Sequence, residues 1–402
     1  LFRSVQNGDA VIRKSITDHP GSTSADQPTT KFRFKYPQRI SMGECPPLFG
    51  NITVLVAVTD RSYETEHDAL KNSICRHYRV AQETLECYLR SVNYNLLLVD
   101  LDSDKRVMKE CKHDQVFFKK HCAASVYLED TDWMLVLDAD TGVVNPNHCI
   151  EEWIDPRVDL IFYERFLNWE IASGNYLCHV LNAQQVKNTP FARNFLRKWA
   201  DWQYTQPSNW NGAITVFCRL AVHACTREYF QMHILQTVLP DAKQEIRNCD
   251  AIWHRGTDYD TYMAFVTCVK IYLGATRVWP GKIRILRRAH GWVRDGYLTA
   301  ERWSDRDFML HGWKLQKIGE AGWESPFTDV MNAEECGQNF DAWHWRNTSH
   351  VSDEKIKKML SEFEYHAARN YPKVAKLIPY LNEPDIAECF PSCDDYSMSQ
   401  LE

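Results

Sequence analysis

Long apolar runs are missing from this 402-residue chain. No stretch approaches the ~18 to 20 consecutive apolar residues of a membrane-spanning helix, and the first residues lack the charged start and apolar core of a secretory leader. The chain as given therefore reads as soluble. A surplus of basic charge is missing too. Lys and Arg number 47 against 53 Asp and Glu, a formal net charge of −6, which offers no broad cationic field and argues against nucleic acid as a partner. Gly-x-Gly-x-x-Gly and Gly-x4-Gly-Lys-Ser/Thr do not occur, so dinucleotide and P-loop readings lose their main support. Gly-x-Ser-x-Gly and His-Glu-x-x-His are also absent, which lowers serine hydrolase and zinc protease readings.

Cysteine, by contrast, is abundant. There are 14, none arranged as Cys-x2-Cys, so zinc knuckles and thioredoxin-like chemistry are disfavoured. An even number scattered from Cys45 to Cys393 suits several disulfides in an oxidising compartment. Cys389 and Cys393 read as a local disulfide tie. Two Asn-x-Ser/Thr sequons, at Asn51 and Asn347, point the same way. Asn51 opens an apolar run and is expected to be too buried for a glycan, which makes Asn347 the better acceptor. The expected location is the secretory pathway, in the Golgi lumen or secreted, with any membrane anchor removed from this chain.

Residues 1–47 are polar and without period, the composition of a stem or linker. Order is expected from Ile52, in a β-branched strand over 52–58, followed by a helix over about 64–79. A strand over 95–99, a helical stretch over about 105–127, a strand ending at Leu137 and another over 158–163 complete the alternation. Such alternation predicts an α/β fold with a mostly parallel, helix-flanked sheet over 48–330. Thr189-Pro190 marks a helix start. The stripe of Phe191, Phe195, Trp199 and Trp202 behind it reads as core. Among Trp253, Trp279, Trp292, Trp303, Trp313 and Trp323 some are expected to stack on substrate, and the basic run from Arg284 to Arg288 reads as an exposed edge or loop. Residues 331–402 read as a C-terminal helical, disulfide-tied appendage, its helix capped by Ser352 with Ile356, Met359, Leu360 and Phe363 on one face.

Asp-x-Asp occurs six times, beginning at Asp100, Asp102, Asp130, Asp138, Asp258 and Asp305. Spacing alone therefore decides nothing. Only Asp100 and Asp138 follow a strand-like apolar run. The Asp100-Asp102-Asp104 cluster fails as a calcium loop, with Lys105 where the turn needs Gly and Cys111 where Glu belongs, and reads as a strand-to-helix turn. Asp138-Ala139-Asp140 is followed by Gly142, Val143-Val144 and Asn145-Pro146, a hairpin that holds two carboxylates at a strand end, where open α/β sheets bind ligands. Two hard oxygen ligands there suit Mn²⁺ or Mg²⁺ with a substrate diphosphate. A second constellation, His311-Gly312-Trp313-Lys314, can add a third metal ligand, close backbone approach to a diphosphate and a cation. On chemistry alone, His311 as ligand and as bystander stand equal.

Phe117 to Ala124, Trp133 to Pro146, Gly174 to Leu177, Asn188 to Asn194 and His311 to Lys314 together resemble a nematode-expanded family of glycosyltransferases. That family is similar in turn to yeast Golgi α-galactosyl/mannosyltransferases and plant xylosyltransferases of GT-A fold, over roughly residues 50 to 330. The resemblance implies a GT-A-like fold and Mn²⁺-dependent, retaining transfer of a hexose, galactose favoured, from a UDP-sugar to a glycan or glycoprotein acceptor. It gives Asp138 and Asp140 the metal-binding role, with His311 as the late ligand. Thr59 and Asp60 would lie at the nucleotide end of the first strand, and Lys120, Gly312 and Lys314 near the donor phosphates. One segment departs from the pattern: Asn209-Trp210-Asn211 stands where related transferases carry Asp-Asp-Gln. Asn211 can stabilise charge through its amide, and Glu164 and Glu170 are candidate nucleophiles. The competing expectations are a glycoside hydrolase, a carbohydrate-binding protein without turnover and a secreted, disulfide-rich structural protein.

Overall fold

Along the central strands, successive side chains fall alternately into two apolar layers. Leu55, Leu97, Val99, Met134, Val136, Leu160 and Phe162 belong to one, and Val54, Val56, Leu135, Leu137, Ile161 and Tyr163 to the other. A strand buried on both faces must be apolar at every position, which is why 52–58 and 133–137 read as unbroken runs. The computed structural model describes residues 11–14, 45–59, 78–179, 191–205, 229–256, 258–314, 324–329, 331, 334–337, 340–376, 385–390 and 393. Its strands are β1 (Val11–Lys14), β2 (Ile52–Val58), β3 (Asn95–Asp100), β4 (Trp133–Leu137), β5 (Thr141–Val143), β6 (Leu160–Tyr163), β7 (Tyr176–His179), β8 (Val278–Trp279), β9 (Ile283–Leu286), β10 (Val293–Asp295) and β11 (Met309–His311).

The main sheet has the order β1-β3-β2-β4-β7-β6-β9-β8. Strands β2, β3, β4, β6 and β9 run in one direction, while β7 is inserted antiparallel between β4 and β6 and β1 and β8 run antiparallel at the edges. The expected helix-flanked α/β sheet is present, with five of its eight strands running in one direction. A second, three-stranded sheet has the order β10-β11-β5.

Helices cover both faces. Helix α1 (Arg79–Leu89) lies with the small sheet on one side. On the other side lie α2 (Lys105–Glu110), α3 (Val116–Tyr127), α4 (Phe191–Thr205), α5 (Phe230–Val238), α6 (Lys243–Arg255) and α7 (Tyr259–Leu273). The helix expected over 64–79 lies outside the described residues except at its very end, where α1 starts. The helical stretch over 105–127 is two helices, broken at residues 111–115. The first starts at the acidic cluster, where Asp104 caps α2 by accepting from the Val107 amide at 2.8 Å, so this cluster is the strand-to-helix turn expected of it.

Phe195 and Trp199 are core residues, with the Trp199 ring stacked between His121 and Phe230. Trp253, Trp292, Trp303 and Trp313 are buried to within a few per cent, so the expectation that some of these rings stack on substrate fails for these four; Trp323 lies outside the described residues. The basic run is likewise not an exposed edge. Arg284 sits in the sheet against Asp155, and fully buried Arg288 donates to Asp385 at 2.6 Å and to Glu364 while its guanidinium covers the Trp169 ring at 4.3 Å. These pairs fasten the C-terminal part, where α8 (Asp353–Asn370) is capped by the Ser352 hydroxyl and buries Ile356 and Leu360 against Phe166 and Leu298. Asn51 is exposed, contrary to expectation, because its side chain precedes the buried part of β2; Asn347 is exposed as expected.

Among the described residues, five disulfides join Cys45 to Cys149, Cys87 to Cys336, Cys111 to Cys122, Cys249 to Cys268 and Cys389 to Cys393, while Cys178 is a buried thiol.

Gly142 of β5 packs tightly between α1 and the segment that follows β11. A Cβ there would lie 2.3 Å from Trp313 Cε3 and 2.8 Å from Thr84 Oγ1, which accepts from the Val143 amide. Gly142→Ala is expected to destabilise the fold by about 1–3 kcal/mol through overpacking, read as a lower urea midpoint at unchanged slope.

Candidate metal centre

Strand β4 ends at Leu137, and its parallel pairing with β2 runs through Val56 and Leu137. The residues that follow the two strands, Thr59 after β2 and Asp138 to Asp140 after β4, therefore emerge at the same carboxyl edge. Thr59 is buried there; Asp60 lies outside the described residues. The hairpin is held by Asn175, just before β7, and by Gln82 of α1. Asn175 Oδ1 accepts from the Asp138 amide at 2.8 Å and from the Thr141 hydroxyl at 3.1 Å, and the Asn175 amide donates to the Tyr163 hydroxyl at 3.3 Å. Gln82 of α1 donates to the Ala139 carbonyl at 2.7 Å.

The downstream segment is brought in by the small sheet. In its central strand β11, His311 is the register partner of Thr141 on one side and of Asp295 on the other. Just beyond, the amides of Gly312 and Trp313 both donate to the Asp140 carbonyl, at 3.1 and 2.9 Å. Gly312 has φ 103°, a conformation open to glycine at little cost. This backbone clasp sets His311 Nε2 3.3 Å from Asp140 Oδ1 and 3.6 Å from Asp138 Oδ2. The three ligand atoms lie within 4.8 Å of one another. Neighbouring oxygen ligands on an octahedral ion with bonds of about 2.1 Å are about 3 Å apart, so this donor set fits a hard divalent cation with little adjustment. Asp138 and His311 keep 19% side-chain exposure each, which leaves one side open.

Cations balance the carboxylates. Lys120 of α3 is buried and donates to Asp138 Oδ1 at 2.7 Å and to the Gly174 carbonyl at 2.6 Å. The more exposed Lys314 ammonium lies 3.6 Å from Asp140 Oδ2. Burial alone would push the His311 pKa down, but the Asp140 charge and hydrogen bonds to Asp138, Asp140 and Asp295 raise it well above its ordinary value. For Asp140, burial is outweighed by His311, which holds the carboxyl below its usual range.

The other candidate carboxylates are paired with other side chains. Glu164 follows Tyr163 on the opposite face of the sheet, where it pairs with Lys270 and, at 3.4 Å, with Arg277. Glu170 accepts from the Tyr262 hydroxyl and the Asn168 amide, each at 2.9 Å. Asn211 lies outside the described residues. Sequence reasoning assigned no role to Gln82, Asn175, Arg165 or Asp295. Asn175 stood inside a quoted motif, whereas the other three carry no local signal.

Residues 85–325, more than half of the chain, match the family described as "Protein of unknown function, DUF273". The chain belongs to this family. Curated proteins give no match to this DUF273 member. Among solved structures it is similar to one titled "crystal structure of a glycosyltransferase involved in the glycosylation of the major capsid of PBCV-1", at 20% identity over 40% of this chain and 70% of that one, with a TM-score of 0.25.

Below the cluster, Glu301 accepts from the Trp313 indole at 2.6 Å. Its burial, opposed by that hydrogen bond, pushes its pKa up to about 7. The folded state therefore binds this proton more tightly than the unfolded chain, so stability falls as pH rises from about 4.5 to about 7. Glu301→Gln keeps the acceptor and removes that cost. Relative to wild type, urea unfolding of the variant is expected to show a gain at pH 8, of up to about 3 kcal/mol, that disappears near pH 4.5.

Proposed function

We propose that this DUF273 protein is a metal-dependent glycosyltransferase that moves a hexose, with galactose favoured, from a UDP-sugar to a glycan or glycoprotein acceptor with retention. The observation that carries the reading is the convergence of Asp138, Asp140 and His311 at the carboxyl edge of the sheet. The resemblance of the segments that build this edge supports the sugar-nucleotide assignment. The disulfides among the described residues support work in the oxidising secretory pathway, in the Golgi lumen or outside the cell.

In this reading Asp138, Asp140 and His311 hold Mn²⁺ or Mg²⁺. When bound, the cation supplies Lewis-acid neutralisation of the charge that develops on the departing UDP. The protein's own groups do the rest. Lys120 fixes one Asp138 oxygen, so that the other faces the cluster. Lys314 extends its ammonium beside Asp140, within reach of a diphosphate, and adds electrostatic stabilisation. Gly312 exposes backbone at the same point. Orientation of an acceptor hydroxyl falls to the pocket walls, which set the linkage. Glu164 and Glu170 are committed to buried partners, so no nucleophile is assigned between them and Asn211.

A ligand that binds only the native state raises its melting temperature. Mn²⁺ together with UDP is expected to raise it more than either alone, EDTA to reverse the shift, and Asp138→Asn to abolish it with the metal-free fold intact. An unchanged shift in that variant sinks the reading. Binding without hydrolysis or transfer of any UDP-hexose would leave the carbohydrate-binding alternative, which the Asn209–Asn211 departure favours. Because a metal must displace the proton held on His311, the Mn²⁺-induced shift is expected to be larger at pH 8 than at pH 6, checked by the same melts in matched buffers.

A further inference from the structure

We infer that Asp295, clamped by Arg165, is the positioning residue that presents His311 to the metal, an inference that rests on the metal-site reading above. Parallel pairing of β10 with β11 makes Asp295 and His311 direct neighbours on one face of the small sheet. Asp295 Oδ1 lies 2.8 Å from His311 Nδ1, while Nε2 of the same ring faces Asp138 and Asp140. The two ring nitrogens thus have separate tasks. With the proton kept on Nδ1 by a carboxylate acceptor, the lone pair of a neutral imidazole is on Nε2, and the ring's basicity rises.

Asp295 is itself fixed. The Arg165 guanidinium donates to both of its oxygens, at 3.3 and 3.2 Å. Arg165 in turn sits in the turn after β6, where its amide donates to the Glu170 carbonyl at 2.6 Å and its carbonyl accepts from the Trp169 amide at 3.1 Å. Trp169 holds φ 57°, a conformation costly for a bulky aromatic side chain, so this turn is braced by its surroundings. The chain from turn to Arg165 to Asp295 to His311 therefore ties ligand orientation to the main sheet, independently of the Asp138 hairpin.

The test is Mn²⁺ binding by titration calorimetry to Asp295→Asn, with Asp138→Asn as reference. Asp295→Asn is expected to weaken Mn²⁺ about 10- to 100-fold and to move the visible absorption band of bound Co²⁺, whereas a merely structural residue would lower the melting temperature and leave both unchanged in the folded protein. If Asp138→Asn binds Mn²⁺ like wild type, the metal reading itself falls. If Asp138→Asn loses Mn²⁺ while Asp295→Asn keeps wild-type affinity and spectrum, only the positioning role falls. Should Asp295→Asn fail to fold, long-range ¹H–¹⁵N spectra of the wild-type protein with Zn²⁺ decide: a proton on His311 Nδ1 supports the inference, and a metal bound through Nδ1 overturns it.

Discussion

The backbone clasp between Asp140 and the Gly312-Trp313 amides is the constraint on which the candidate site depends. Two segments far apart in sequence are joined there by main-chain hydrogen bonds, extended by the register of β5 with β11. Side chains at such a junction inherit their spacing from the sheet and need little conformational freedom removed when a ligand arrives. The same join explains the small residue at 142, where Trp313 closes against the hairpin. Trp313 is thus a wall of the site's foundation and has no face left for sugar.

Charge at the junction is nearly self-compensating. Asp138, Asp140 and Asp295 stand against Lys120, Lys314, Arg165 and a protonated His311. Buried carboxylates this close are tolerated only when paired, and the His311 imidazolium pairs with Asp140 and Asp295. Burial opposes ionisation of Asp295, yet Arg165 and then His311 hold its carboxyl well below the usual range. On the metal-site proposal, a cation and the His311 proton would compete for the same ring nitrogen, while Arg165 and Asp295 stay paired.

Much of this was legible beforehand for identifiable reasons. Strands buried on both faces leave unbroken apolar runs, so β2, β3, β4 and β6 could be placed closely. The context of Asp138, with a small middle residue and a glycine before a second short strand, separated it from five identical spacings. His311 was ambiguous alone, since only the β11 pairing decides where an isolated histidine points. What stayed hidden depends on tertiary partners. Arg288 reads as surface until Asp385 and Glu364 are seen around it, and the tryptophans of the second half read as exposed because loops also build cores. Asp295 has no local mark because its function, if it positions His311, exists only through a neighbouring strand.

Two of the disulfides overlap in sequence. The Cys45–Cys149 loop begins before Cys87 and closes before Cys336, so the Cys87–Cys336 link takes over where the first ends. Every peptide bond from residue 45 to residue 336 is therefore spanned by at least one bridge. A single proteolytic cut anywhere in that range leaves one covalent molecule, heavier by a water, with Asp138, Asp140 and His311 still tethered to each other. In an extracellular or lumenal setting rich in proteases, a nicked form would keep its parts together until reduced.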